Sequence, residues 1–312
     1  MTLPNVVIAG APKSGTTSLF AWLNDHPQVC GASVKETHYL VDRGTPLFNP
    51  ACNYADHGLA GYESFFAHCD PARAQVILEA TPEYLYRRTA LEVLSSLDPA
   101  PQVVFVLRKP SERTYSFYQY ARNNMAIISP ATTFRDFVSM LRTGAGSFQS
   151  VPGGVERVER EAWSEYGIQF SRYSDYLGDW LSRFPPQNLH LFLFEALQAD
   201  QSAFMRSVAA ALGIDQGYYA DYHFPRKKQT YNVRLQMLQR TRLRMGRLLP
   251  RSSLKRALRK ALTRPYTAMN VRRGQQARSD DDVRVLKELD AEFAPLNRRL
   301  AEQTGLDLSA WA

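Results

Sequence analysis

Val6-Val7-Ile8-Ala9-Gly10-Ala11-Pro12-Lys13-Ser14-Gly15-Thr16-Thr17 decides the fold. Its first four residues form a short apolar, β-branched run that reads as a buried strand, and Gly10 ends that strand in a turn. Ser14 to Asp25 then reads as a helix, with Leu19, Trp22 and Leu23 on one face. The eight residues from Gly10 to Thr17 therefore lead from a strand into a helix N-terminus. Backbone N–H groups in a first helical turn have no intrahelical acceptor, and with the helix dipole they make an anion site. Gly10 and Gly15 let the backbone wrap closely around a phosphate-like group. Ser14, Thr16 and Thr17 add hydroxyl donors, and Lys13 adds a positive charge. The nucleoside-triphosphatase loop is ordered differently: it ends Gly-Lys-Ser/Thr, and its hydroxyl holds magnesium. Here the lysine precedes the glycine, and no acidic strand end offers itself to a metal.

Further strands and helices follow in alternation. Val76-Ile77-Leu78 is a second buried strand and Val103 to Leu107 a third, with Pro110 placed at the first turn of the next helix. Asn188 to Phe194 is a fourth strand, followed by a helix of about 15 residues over Ala199 to Leu212. Asp280 to Glu302 reads as a long amphipathic helix carrying Val283, Leu286, Leu289, Phe293, Leu296 and Leu300. Strands alternating with helices predict an α/β fold, a parallel sheet covered on both faces. Ala126 to Gly154, rich in glycine at its end, reads as a surface excursion and a candidate lid. With no repeat and no linker, one domain over 1–312 is expected.

The third strand runs into Arg108-Lys109-Pro110-Ser111-Glu112-Arg113-Thr114-Tyr115-Ser116-Phe117-Tyr118. A strand-end arginine offers a forked pair of donors suited to a dianionic phosphate. Ser116, on the helix that follows, can add a hydroxyl, whereas Arg113 reads equally as a ligand contact or a structural group. Pro12 to Thr17 resembles the 5′-phosphosulfate loop of sulfotransferases that use 3′-phosphoadenosine 5′-phosphosulfate (PAPS). The Arg108 segment is similar to the R-x-P-x-x-R-x-x-S-x-Y pattern of the same family. The resemblance implies a P-loop-like α/β fold of three layers, its central parallel sheet flanked by helices, that works without a metal. It places Lys13 near the bridging oxygen of the donor and Arg108 and Ser116 at the 3′-phosphate. Weaker likenesses extend to Tyr173, to the stretch from Trp180 to Leu212 with its Phe194-Glu195, and to Arg272-Arg273-Gly274, similar to a loop that holds the 3′-phosphate.

Sulfuryl transfer needs an in-line geometry, a cation at the leaving oxygen and a base for the acceptor hydroxyl. Val34-Lys35-Glu36-Thr37-His38-Tyr39 offers two bases. The segment resembles the Lys-Glu-x-x-x-Phe/Tyr stretch of heparan-type carbohydrate sulfotransferases, which implies Glu36 as base and Lys35 as a sulfuryl or substrate contact. His38 is the rival, because an imidazole titrates near neutrality. Glu79-Ala80-Thr81-Pro82-Glu83-Tyr84 resembles the acceptor-side segment of the family, with Ala80 where a lysine is common. Phe117 and Tyr120 likewise depart from the N-sulfotransferase branch. The remaining histidines, His26, His57, His68, His190 and His223, show no metal-ligand spacing and read as structural.

Composition sharpens the rest. The chain has 312 residues, 45% hydrophobic and 22% charged, which excludes collagen, coiled coil and wholesale disorder. Its net charge of +8 is uneven: Phe224 to Ser279 carries 17 Lys or Arg and no acid, and 38 less 17 leaves 21 bases against 30 acids elsewhere. The segment at about 224–279 reads as helical over Arg234 to Leu262, broken near Pro250. It is a positive rim for PAPS and an anionic acceptor, a surface for an acidic membrane, or a solvated helix. No reader motif accompanies the charge, so nucleic acid is not an expected partner. Cys30, Cys52 and Cys69 show no C-x-x-C spacing, which predicts free thiols, no zinc site and a reducing cytoplasm. With no signal peptide read at the start and no apolar run long enough to span a bilayer, a cytoplasmic protein is expected, with a peripheral place at the inner membrane as the alternative.

The expected function is transfer of a sulfuryl group from PAPS to a hydroxyl, or in second place an amine, of a carbohydrate or secondary metabolite. The alternatives are a P-loop kinase and a catalytically silent membrane-binding module.

Overall fold

The structure is a computed structural model describing residues 1–143, 165–225, 232–233, 235, 237–242, 266, 270–272 and 277–311. The chain divides into two compact units. The first holds Met1–Lys109, Arg172–Lys228 and Phe293–Ala312, and the second Pro110–Ser171 and Gln229–Glu292.

The first unit is built on five strands: β1 (Val6–Gly10), β2 (Val29–Gly31), β3 (Val76–Ala80), β4 (Gln102–Leu107) and β5 (Leu189–Leu193). They pair in the order β2-β3-β1-β4-β5, every pair parallel, with Ile8 opposite Ala80, Val6 opposite Gln102 and Val103 opposite Leu189. Successive side chains on a strand point to opposite faces, and here both faces are covered. Val7, Ala9, Ile77, Val103 and Phe105 share one core with Tyr84, Leu94, Leu177 and Trp180. Val6, Ile8, Leu78, Val104 and Val106 share the other with Leu19, Trp22, Met205 and Val208. Two buried faces explain why these strands read as unbroken apolar runs.

The helices that supply those cores are α1 (Thr16–Asn24), α2 (Tyr54–Glu63) and α3 (Arg88–Ser95). The second unit holds α4 (Pro110–Tyr120) and α5 (Phe134–Thr143), which are not part of those two cores. The first unit continues with α6 (Ser174–Arg183), α7 (Phe194–Ala199) and α8 (Gln201–Leu212). The helix expected over Ala199 to Leu212 breaks at Asp200, whose side chain accepts the Ala203 N–H and caps α8. Because all five strands are parallel, their carboxyl ends, Gly10, Gly31, Ala80, Leu107 and Leu193, lie along one edge of the sheet. That is the edge where open α/β sheets bind ligands.

In the second unit, α4 buries Arg113 completely. Its guanidinium donates to Ser171 Oγ at 2.8 Å and to the carbonyls of Tyr166 and Gly167, which identifies Arg113 as structural. The stretch expected as a surface excursion from Ala126 carries α5, whose Phe134, Phe137 and Val138 are buried; residues 144–164 lie outside the described residues. In the basic segment, β6 (Asn232–Val233) and β7 (Val271–Arg272) form an antiparallel pair that was not expected. Of the helix expected over Arg234 to Leu262, residues 235 and 237–242 are described; 237–242 are helical, and Leu235, Met237 and Leu238 are exposed.

The last helix, α9 (Asp280–Thr304), contains Val285, Leu286, Leu289, Phe293 and Leu300 as its buried residues. Val283, expected on that face, is 41% exposed. At about 100° per residue the five buried positions fall within a stripe of about 100° bounded by 285 and 286, and position 283 lies about 60° outside it.

The free-thiol expectation is overturned. Cys30 on β2 and Cys69 beyond α2 form a disulfide across a sequence separation of 39, with Cα atoms 5.8 Å apart, leaving Cys52 free. His68 Nε2 lies 3.8 Å from Cys69 Sγ. The segment after α2 returns to β2, where Ser33 N–H donates to Phe65 O and His68 Nε2 lies 3.1 Å from Gly31 O, and this makes the two cysteines neighbours, which sequence spacing does not reveal. The inference from free thiols to a reducing compartment falls with it. Among the described residues no helix is long and apolar enough to cross a membrane.

Candidate active site

The loop after β1 is bound into the sheet by Ala11 N–H donating to Val106 O at 2.9 Å. A Cβ at Gly10 would stand 3.0 Å from Leu85 Cβ and 3.1 Å from Phe105, so any larger residue would press on both. Gly15 caps α1 with φ 82° and makes no side-chain cap, and a Cβ there would meet Phe194 at 2.9 Å. Lys13 also adopts a left-handed backbone, φ 72°, a conformation unfavourable by about 1 kcal/mol or more for a side-chain-bearing residue. Ser14 is fully buried, and its Oγ has no hydrogen-bond partner among the described residues. A sealed hydroxyl without a partner is uncommon and costs free energy unless something meets it. Thr16 is buried and Thr17 half-buried at the first turn, whose N–H groups lack intrahelical acceptors.

Arg108, at the end of β4, reaches the same loop. Its Nη1 donates to Lys13 O at 3.4 Å, and its guanidinium lies 4.9 Å from the Phe194 ring centroid. The buried Tyr173 hydroxyl donates to Arg108 O at 3.0 Å, so Tyr173 fixes the strand end. Glu195 locks the next residue: its carboxylate accepts Lys109 N–H and Trp311 Nε1–H, each at 3.0 Å. Ser116 stands half-buried on α4, in the second unit. Arg272 lies on β7, while Arg273 and Gly274 lie outside the described residues.

The second constellation is the turn Lys35–His38, which follows β2 and lies on the end of β3. Glu36 N–H donates to Ala80 O at 3.0 Å, and His38 N–H donates to Thr81 Oγ1 at 3.3 Å. Thr37 is its anchor. Its hydroxyl donates to Glu79 Oε1 at 2.9 Å and lies 3.0 Å from the Tyr84 hydroxyl. Thr81 donates to the same Glu79 oxygen at 2.6 Å. Both candidate bases sit in left-handed backbone, Glu36 at φ 63° and His38 at φ 51°. Lys35 Nζ and Glu36 Oε1 form an ion pair.

The titration of this end departs from that of free side chains. Burial pushes the His38 imidazole below its usual range; the Glu36 charge works against that, and Lys35 and Arg87 add to it. Burial raises Glu79 to about 7, against the hydrogen bonds of Thr81 and Thr37 and the charge of Lys35. Glu83 also rises to about 7, first through burial and then through Glu36, opposed by Lys35 and Arg87. The Glu79 to Tyr84 segment reads from the sequence as acceptor-side; the burial of its two carboxyls was not expected. The available signal was an acid ending an apolar strand, Glu79, and a second four residues on.

Lys13, Ser14, Gly15, Thr16, Thr17 and Arg108 thus gather at one strand-end cradle, and Lys35, Glu36 and His38 at a second on the same sheet edge. The arrangement defines a P-loop-like α/β protein with a glycine-bounded loop and a helix N-terminus at its first strand–helix junction. The chain belongs to the sulfotransferase domain family, whose model matches residues 3–264. It is similar to the human bifunctional heparan sulfate N-deacetylase/N-sulfotransferase 3, at 25% identity over 212 residues, 68% of this chain and 22% of that protein. It is also similar to human heparan sulfate glucosamine 3-O-sulfotransferase 3B1, at 28% identity over 222 residues, 71% of this chain and 49% of that protein. The chain spans about a fifth to a half of the length of these curated relatives. A solved sulfotransferase from Alicyclobacillus acidocaldarius shares the fold, at TM-score 0.63 and 20% identity over 100% of this chain and 99% of that one.

Proposed function

We propose that this protein transfers a sulfuryl group from PAPS to a hydroxyl, or in second place an amine, of a carbohydrate or secondary metabolite, without a metal. The observation that carries the reading is the sealed, unpartnered Ser14 Oγ in a loop that ends at a helix N-terminus. A phosphate oxygen there would accept the Ser14 hydroxyl and the first-turn N–H groups together. Pro12 to Thr17 would hold the 5′-phosphosulfate, with Lys13 at the leaving oxygen. Arg108 and Ser116 would hold the 3′-phosphate, with Arg272, Arg273 and Gly274 as a further contact. Tyr173 would serve through Arg108. The turn Lys35–His38 would supply the proton acceptor, Glu36 or His38, with Lys35 near the sulfuryl group. The basic segment from Phe224 to Ser279 would draw the polyanionic donor toward the protein.

Adenosine 3′,5′-bisphosphate is expected to raise the melting temperature in the presence of EDTA, and ATP with magnesium is not. Transfer of radiolabel from PAPS to a metabolite pool then identifies the acceptor. Stabilisation by magnesium-ATP alone would return the protein to the kinase reading.

A further inference from the structure

Two buried polar atoms face each other at the acceptor turn. His38 Nδ1 and Glu83 Oε2 lie 3.9 Å apart, and neither has a hydrogen-bond partner among the described residues. A separation of 3.9 Å is beyond hydrogen-bond range, but a side-chain adjustment of about 1 Å closes it and satisfies both atoms. Catalytic hydrogen bonds are often long before substrate arrives.

The backbone presents the pair to each other. His38 is held at φ 51° by its N–H to Thr81 Oγ1, and Glu83 lies two residues beyond Thr81 in the 3₁₀ turn Pro82–Tyr86. Residue Glu83 is 9% exposed, whereas the His38 side chain keeps 23%. With Nδ1 sealed, that exposure belongs to the rest of the side chain, so Nε2 is the ring nitrogen open to an incoming acceptor. The charges around the pair are Lys35 and Glu36 from the turn and Arg87 from the end of the 3₁₀ segment.

Building on the sulfotransferase reading, we propose that Glu83 is a positioning residue: its carboxylate accepts a hydrogen bond from the Nδ1–H of His38, so that the imidazole meets the acceptor hydroxyl with an unprotonated Nε2. In the transfer, Nε2 takes the hydroxyl proton as the acceptor oxygen bonds to sulfur. The bond between sulfur and the bridging oxygen breaks, and the leaving phosphate keeps the electron pair. The imidazolium formed is then balanced by Glu83. Glu36, engaged by Lys35, anchors that lysine at the sulfuryl group. A carboxylate behind an imidazole fixes both its tautomer and its direction.

The test reads His38 directly. The full chain is labelled with ¹⁵N-histidine, and long-range proton–nitrogen spectra are recorded from pH 5.5 to 8.5, with and without adenosine 3′,5′-bisphosphate. The His38 signal is identified by its loss in His38→Ala. The wild type is expected to show the Nδ1–H tautomer, and Glu83→Ala to swing to Nε2–H, the form a free imidazole prefers. Glu83→Gln keeps an acceptor but no charge, so it should retain the tautomer and lower the His38 midpoint by about half a unit or more. An Nε2–H tautomer in the wild type, or no change in tautomer or midpoint in either variant, overturns the proposal. If Glu83→Ala does not fold, Glu83→Gln decides. Failure of the sulfotransferase reading would appear separately, as no response to adenosine 3′,5′-bisphosphate.

Discussion

The two ends of the site are built by opposite means. The cradle after β1 is made of backbone, two glycines and a helix start, with Ser14 Oγ waiting in a sealed position. The turn after β2 is made of side chains: Thr37, Glu79, Thr81 and Tyr84 hold it from below, while Lys35, Glu36 and His38 stand above. A cradle of N–H groups suits any phosphate and has no titratable group besides Lys13. A turn held by carboxyls near neutrality responds to pH and to the identity of each side chain. On the proposed function, the comparison teaches that donor recognition would be fixed by geometry, whereas acceptor chemistry would rest on a few replaceable residues.

The strongest way to break this division is Lys13→Ala. If the cation acts on charge that develops at the leaving oxygen, transfer should fall about 10³-fold, while adenosine 3′,5′-bisphosphate still binds within about tenfold, since the N–H cradle is intact. Calorimetry beside a radiolabel transfer assay separates the two. Equal losses in binding and transfer would mean that Lys13 is a binding residue only.

Next in size is the disulfide. Closing a loop of about 40 residues stabilises a fold by roughly 3–4 kcal/mol in the chain-entropy account. Cys30→Ser and Cys69→Ser should each lower stability by a comparable amount in urea melts. Because Cys30 lies on β2, immediately ahead of the acceptor turn, amide exchange should rise at 32–38 and stay unchanged over 11–17. Uniform loosening of both loops would erase the distinction between the two ends.

The same division governs what could be read from the residues. β1, β4, the turn from β1 into α1 and the place of Arg108 at a strand end were legible because buried parallel strands are unbroken apolar runs and a strand-to-helix turn of this kind carries glycine at fixed places. β2 was missed because Val29–Gly31 is three residues long with one hydrophobe of the usual strand type. The Cys30–Cys69 bond was missed because it depends on the segment after α2 returning to the end of β2, a non-local fact. The roles of Glu79 and Glu83 were hidden for a related reason. A carboxyl placed just past an apolar strand reads as solvated until the turn laid over it is known.

Arg108→Ala tests the donor end alone. Removing a forked, charge-assisted contact should weaken adenosine 3′,5′-bisphosphate by about 10- to 100-fold and leave adenosine 5′-phosphate nearly unaffected. Calorimetry with both ligands checks it. Arg108 also touches Lys13 O and Phe194, so equal losses for the two ligands would mean that it shapes the cradle rather than reads the 3′-phosphate.

The smallest effect belongs to Glu79, and its sign is the point. The carboxyl is fully buried; Oε1 accepts from Thr37 and Thr81, while Oε2 has no partner among the described residues. Its pKa in the folded chain is raised from 4.5 to about 7. Between those values the folded state binds more protons than the unfolded one, so this group's contribution is greatest below about pH 4.5 and is lost as pH rises through about 7. Glu79→Gln keeps the acceptor oxygen for Thr37 and Thr81 and cannot ionise. Relative to wild type the variant should therefore gain stability, on the order of 1 kcal/mol, between pH 5.5 and pH 8. Urea melts at the two pH values read that change. A difference independent of pH would mean that Glu79 does not titrate in this range, and the acceptor turn would then be as indifferent to pH as the cradle beside it.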